Sequence, residues 1–224
     1  MIEMVAFDMA GTTIDDHGAV YEALEDAVDE TGASVAAADL QQWMGTDKVE
    51  AIAALMQLGG VEPAADAVAR AFDRFRAILA ERYRDRPPVA LPGVEATLRE
   101  LRHRGIRVAL TTGFSDDVAY PLLDALGWAV GETLDAVVTT SDVTAGRPAP
   151  YLIHHAMEKL GVEDVRSVLA AGDTIVDVQA ARNAGVIAVG VLTGKLGRAA
   201  LEPIPHDYIL DSVNDVLALP EVSA

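Results

Sequence analysis

The chain has 224 residues, 51% hydrophobic and 23% charged, with a formal net charge of −18. That length and composition suit a folded chain with a substantial core, while the charge excludes binding through nucleic-acid phosphates or to anionic membranes. Cysteine is absent, which excludes a disulfide framework, a thiolate metal site and a cysteine nucleophile.

The run from Ile2 to Phe7 is short and apolar, and Asp8 with a Gly-Thr-Thr turn follows at once. This predicts a buried strand that ends in a polar loop. The run has no basic flank and is too short for a signal peptide. No later segment is an apolar run of membrane-spanning length, so a cytoplasmic location is the expectation.

From about Ala19 to Arg86 the spacing is helical. YEALEDAVDETG predicts a helix that stops at Gly32, AADLQQWMG a short second one, and DKVEAIAALMQLGG a third closed by two glycines. Pro63 opens a fourth, through ARAFDRFRAILAERYRD, until Arg86-Pro87-Pro88 breaks the pattern. After a further helix in LPGVEATLRELRHRG, strands and helices alternate. RVALTTG, AVVTT, SVLAAGD and VIAVGVLTG read as strands; AYPLLDALG, PAPYLIHHAMEKLG and DVQAARNAG read as the helices between them. The expected fold is α/β, a doubly wound parallel sheet with an inserted all-helical cap. The expected domains are a core of residues 1–16 and 89–224 and a cap of residues 17–88.

Four polar clusters follow predicted strands: Asp8 to Thr13, Thr111-Thr112-Gly113, Ala145-Gly146-Arg147-Pro148, and Gly172-Asp173-Thr174 with Asp177. A doubly wound sheet gathers such clusters at the carboxyl ends of its strands. Asp8, Asp173 and Asp177 are hard oxygen donors that suit Mg²⁺, and a carboxylate is also a nucleophile toward phosphorus. Thr112 and Arg147 suit phosphoryl oxygens. Taken singly, each cluster is as readily a helix cap or a turn; their order and shared position carry the argument.

DMAGTT, LTTG, AGRPAP and GDTIVDVQAARNAG, in that order, resemble the four motifs of the haloacid dehalogenase superfamily, with the helical insertion in the place of its type-1 cap. The resemblance implies a magnesium-dependent hydrolase. It makes Asp8 the nucleophile, gives Asp8, the Ala10 carbonyl, Asp173 and Asp177 to the metal, and gives Gly11, Thr12, Thr112, Gly113 and Arg147 to the phosphoryl group.

Two departures narrow the branch. Position 10 is Ala where phosphatases of the superfamily carry an acid, and Arg147 stands where lysine is usual. Both resemble the phosphonatase branch, which also places a cap lysine in a Met-Gly-x-x-Lys setting, matched here by Met44-Gly45-Thr46-Asp47-Lys48. Breaking a carbon–phosphorus bond expels a carbanion, which needs an electron sink. A lysine that forms an iminium with a substrate aldehyde supplies one, provided its pKa is depressed.

Lys48 is one of three lysines against fourteen arginines. Asp47 and Glu50 beside it favour the charged form and a solvated position. The branch has a histidine where Ala51 stands and a tyrosine where Phe114 stands; His17 is a candidate replacement imidazole. Three readings follow: a hydrolase of a small oxo-phosphonate through an aspartyl-phosphate and a lysine Schiff base; a phosphomonoesterase acting on a small ester such as phosphoglycolate or a sugar phosphate; and a chain that only binds phosphate-bearing ligands. Hinges are expected near Thr13–Gly18 and Pro87–Pro92, and the resemblance implies a homodimer paired through the cap.

Overall fold

The computed structural model describes residues 1–223. In chain order its elements are β1 (Met4–Phe7), β2 (Ile14–Asp15), α1 (Ala19–Asp29), α2 (Ala37–Gln42), α3 (Lys48–Leu58), α4 (Ala65–Asp85), β3 (Val89–Ala90), α5 (Val94–His103) and β4 (Arg107–Thr111). Then come α6 (Asp116–Leu126), β5 (Ala136–Val138), α7 (Tyr151–Leu160), β6 (Val168–Gly172), α8 (Ile175–Ala184), β7 (Ile187–Val191), α9 (Arg198–Leu201), β8 (Tyr208–Leu210) and α10 (Pro220–Ser223).

Six strands form one parallel sheet in the order β5-β4-β1-β6-β7-β8. The chain runs from β1 to one edge, then returns to β6 beside β1 and continues to the other edge. β1 therefore borders the point where the winding reverses, the usual place for a site in such a sheet. Alternation along the strands explains the two layers. Val5 and Phe7, Val108 and Leu110, Leu169 and Ala171 face one hydrophobic cluster. Met4 and Ala6, Ala109, Val168 and Ala170 face the other, against α7 and α8.

The four helices between β2 and β3 are the predicted insertion. α1 buries Ala19, Val20, Ala23, Leu24, Ala27 and Val28, an apolar stripe at helical spacing. α4 offers Val68, Ala71, Phe75, Ile78 and Leu79, and both stripes belong to the cluster that covers the sheet's first face. No described helix is long and apolar enough to cross a membrane.

One feature differs from expectation: β8, which no pattern singled out, extends the sheet to a sixth strand. Within the stretches expected as hinges, β2 and β3 pair antiparallel, Ile14 with Ala90 and Asp15 with Val89.

Candidate active site

Parallel register sets Phe7 opposite both Leu110 and Ala171. Asp8, Thr112 and Asp173 thus leave neighbouring strands at the same edge. Asp8, Ala10, Gly11, Lys48, Thr112, Gly113 and Asp173 all line one cavity of about 280 Å³, close to the lower end of small-molecule pockets, roughly 300 Å³.

Arg147 lies beneath that cavity, 4% exposed. One guanidinium nitrogen donates to Asp8 Oδ1 at 2.6 Å and pairs with Asp177 Oδ1 at 2.8 Å. The other donates to the Thr111 carbonyl at 2.8 Å and to its hydroxyl at 2.9 Å. Burial opposes the charge of Arg147, but Asp177 and Asp8 overcome it and hold the guanidinium above its ordinary pKa. Arg147 and Asp177 do not line the cavity; in this arrangement Arg147 fixes the carboxylates.

Thr12 was expected at the phosphoryl group, but its hydroxyl is buried and donates to Asp173 Oδ1 at 2.9 Å. Its short side chain is spent on orienting a carboxylate, and it too is absent from the cavity wall. Thr112 Oγ1 accepts from the Phe114 N–H at 3.1 Å, which shapes the turn after β4. Thr174 and Asp177 form a capping box at the start of α8. Asp177 therefore does cap a helix, through Oδ2, while its Oδ1 faces Arg147.

Ligand oxygens of Asp8, Asp173 and Asp177 lie within 4.8 Å of one another, all buried. Arg147 is the cation paired with this cluster, through Asp8 and Asp177, so one positive charge faces three carboxyl groups shielded from water. Burial, then Asp177, raise the Asp8 carboxyl to about 6 in spite of Arg147. Burial, Asp8 and Asp177 push Asp173 well above the usual range. A buried cluster of hard oxygens with uncompensated negative charge fits a divalent cation such as Mg²⁺.

This makes a prediction about stability. The Asp8 carboxyl titrates near 3.8 in the unfolded chain and near 6 when folded. Below 3.8 both states hold the proton; as pH rises toward 6 the unfolded chain releases it first, and the metal-free fold loses that stability. A bound cation offsets the loss. Mg²⁺ is therefore expected to raise the melting temperature more at pH 7 than at pH 5. Equal shifts at both pH values, measured by calorimetry, would count against a metal at this cluster.

Lys48 is 3% exposed, so the solvated position suggested by Asp47 and Glu50 is not found. Asp47 is the cap of α3: its Oδ1 accepts from the Val49 and Glu50 N–H groups. Lys48 Nζ donates to the Thr46 carbonyl at 2.7 Å and lies 5.8 Å from the centre of the Phe114 ring. Burial lowers its pKa to about 8, overcoming Asp47, Asp8 and Asp177; Arg147 adds to the lowering. Ala51 is fully buried in α3. His17 does not replace the missing imidazole: it is outside the cavity wall, its ring bridging Asp15 at 3.2 Å and the Pro87 carbonyl at 3.2 Å.

The loop that leads into Lys48 and α3 approaches the sheet edge very closely. Gly45 has φ +80°, and a Cβ there would lie 2.5 Å from Thr174 Oγ1; one on Gly113 would lie 2.5 Å from the Thr46 carbonyl. Gly45→Ala is expected to cost roughly 1–2 kcal/mol through backbone strain and this clash. Steady-state kinetics should show kcat/KM lowered about tenfold. An unchanged value would mean that the loop need not sit this close during turnover.

Sequence motifs missed several residues of the cavity wall. Val20, Tyr21, Leu91, Thr193, Gly194 and Lys195 also line it, and none belongs to one of the four polar clusters or the cap-lysine motif.

The haloacid dehalogenase-like hydrolase family model matches residues 2–185. A phosphonoacetaldehyde hydrolase from Bacillus cereus (strain AH820) is 31% identical over 207 residues, 86% of this chain and 76% of that protein. Among solved structures, a hydrolase from Pseudomonas syringae superposes with a TM-score of 0.86 at 25% identity, covering 96% of both chains. A phosphonoacetaldehyde hydrolase-like protein from Oleispira antarctica gives 0.83 at 24% identity, over 97% of this chain and 90% of that one, a likeness of fold. The chain is an enzyme of the haloacid dehalogenase-like hydrolase family, and over most of its length it is similar to phosphonoacetaldehyde hydrolases.

Proposed function

We propose that this enzyme cleaves the carbon–phosphorus bond of phosphonoacetaldehyde or a related 2-oxo-phosphonate, with Asp8 as nucleophile and Lys48 as Schiff-base amine. The observation that carries the reading is Lys48 itself: a buried amine, its pKa lowered to about 8, on the wall of the cavity that holds Asp8. Ala10 supports it, because this position lacks the acid that an alcohol leaving group requires.

The sequence of steps follows from these groups. Neutral Lys48 adds to the substrate carbonyl, and with uptake of one proton water leaves, giving an iminium. Asp8 Oδ attacks phosphorus, and the C–P electron pair moves into the carbon chain to neutralise the iminium as an enamine. Protonation at carbon and hydrolysis release the aldehyde and return the amine. Water then cleaves the aspartyl-phosphate to inorganic phosphate and free Asp8. Mg²⁺, held by Asp8, Asp173, Asp177 and the Ala10 carbonyl, would offset the charge on the phosphoryl oxygens. Arg147 keeps Asp8 oriented. In the same reading, residues 17–88 act as a cap whose closure over the core excludes water from the iminium.

A second reading rests on the absence of histidine from the described cavity wall. There the Lys48 ammonium protonates the leaving oxygen of a small phosphate ester. Borohydride reduction during turnover of phosphonoacetaldehyde separates the two. The first reading expects a stable adduct on Lys48, located by mass spectrometry, and loss of activity. Ester hydrolysis without trapping or C–P cleavage would remove the Schiff base from the account.

A further inference from the structure

The loop after β7 carries no motif, yet it is firmly anchored at the site. Leu192 N–H bonds to the Leu210 carbonyl at 3.0 Å. Thr193 Oγ1 donates to the Gly11 carbonyl at 2.6 Å, and Gly194 packs on the Asp173 carboxylate. The next residue, Lys195, extends over the ring of Tyr21, with Nζ 3.6 Å from its centre. Tyr21 lies on α1 and is itself held: its phenol donates to Gln41 Oε1, on α2, at 2.7 Å. Both Lys195 and Tyr21 line the cavity. The contact therefore spans from the sheet edge to the helical insertion beside the nucleophile.

Two features make this pair more than a surface coincidence. Lys159 rests against the Asp142 carboxylate, whereas Lys195 has an aromatic face as its partner. Of the four acids on the same wall, Asp8 pairs with Arg147 and Asp173 accepts from Thr12, and Asp15 and Asp16 are also occupied by other groups. Asp15 accepts from the His17 N–H and faces its ring, and Asp16 accepts from the Gly18 and Val20 N–H groups. The ion pair between α4 and α6, Arg76 with Asp117, lies away from this cavity.

We propose that Lys195 is a positioning residue, forming with Tyr21 a clasp that holds the insertion closed over an occupied site. The proposal rests on the reading of the cavity as a phosphoryl site, but not on carbon–phosphorus cleavage. A cation over an aromatic face is strongest where water is excluded, so the clasp strengthens as the cavity closes, and opening must break it.

The test uses the full chain with Mg²⁺ and orthovanadate, a phosphoryl mimic, titrated by calorimetry. Lys195→Met is expected to weaken vanadate binding about fivefold, equivalent to about 1 kcal/mol. Tyr21→Leu should do the same, and the double variant should be no worse than either single one. Lys195→Arg, which keeps a cation over the ring, should bind within about twofold of wild type. Unchanged affinity in Lys195→Met would overturn the clasp. So would factors that multiply to about 25-fold in the double variant, since Lys195 would then act without Tyr21. A wild-type chain that binds no vanadate would instead overturn the phosphoryl-site reading on which the clasp depends.

Discussion

Replacing Lys48 with arginine is expected to lower phosphonoacetaldehyde cleavage at least a thousandfold, about 4 kcal/mol of transition-state stabilisation. A guanidinium stays protonated and cannot form the iminium that receives the C–P electrons. Phosphate release is the measurement. Arginine is also larger than the buried lysine it replaces, so Lys48→Met serves as a second variant of similar shape, with melting curves to verify that both fold. In the wild type, kcat/KM should rise about tenfold per pH unit below the Lys48 pKa of about 8, because only the neutral amine attacks. Full activity in Lys48→Met would end the Schiff-base mechanism, whatever the substrate.

Asp8→Asn is expected to abolish turnover of phosphonates and esters alike, by roughly 10⁴-fold. The same change should stabilise the metal-free fold at pH 7 by about 1–2 kcal/mol, a rise of roughly 2–6 °C in melting temperature. The sign follows from the cluster: burial and Asp177 raise the Asp8 carboxyl to about 6, so at pH 7 it is held charged at a cost. Arg147 is not orphaned by the change, since it retains Asp177 at 2.8 Å and the Thr111 oxygens. Mg²⁺ should then raise the melting temperature less than it does in wild type. A lower melting temperature in the variant would show that the Asp8–Arg147 pair outweighs carboxylate repulsion, contrary to this account.

What could be read from the sequence follows a physical division. Five strands of the sheet, β1 and β4 to β7, and the helices around them announce themselves by apolar pattern, since each must present an apolar face. The clusters after β1, β4 and β6 are legible because parallel strands put their carboxyl ends together. β8 spans Tyr208–Leu210 after Pro203 and Pro205, as short as β5 but only half-buried, so no apolar run marks it. β2 and β3 have two residues each and are defined by their pairing across the insertion.

The burial of Lys48 could not be read from its acidic neighbours, which are adjacent in the chain and by themselves favour a solvated amine. Chain proximity does not reveal that Asp47 turns to cap α3 while Lys48 points into a buried cavity. Thr12 is placed by motif at the ligand, whereas its hydroxyl donates to Asp173, a partner 161 residues away that chain order does not reveal. Tyr21 and Lys195 had no signal at all. Their meeting depends on how α1 lies against the loop after β7, which is a property of packing.

The pairing of β2 with β3 has a consequence for the chain as a whole. Both passages between sheet and insertion run side by side, Asp15 against Val89, about one strand spacing apart, roughly 5 Å. The whole stretch from 16 to 88 is therefore, to the rest of the molecule, an ornamented hairpin loop. Closing a long loop costs little more than closing a short one, and here the ends are already fastened. Such a join lets the inserted helices be lengthened, exchanged or trimmed while the sheet beneath keeps its connections.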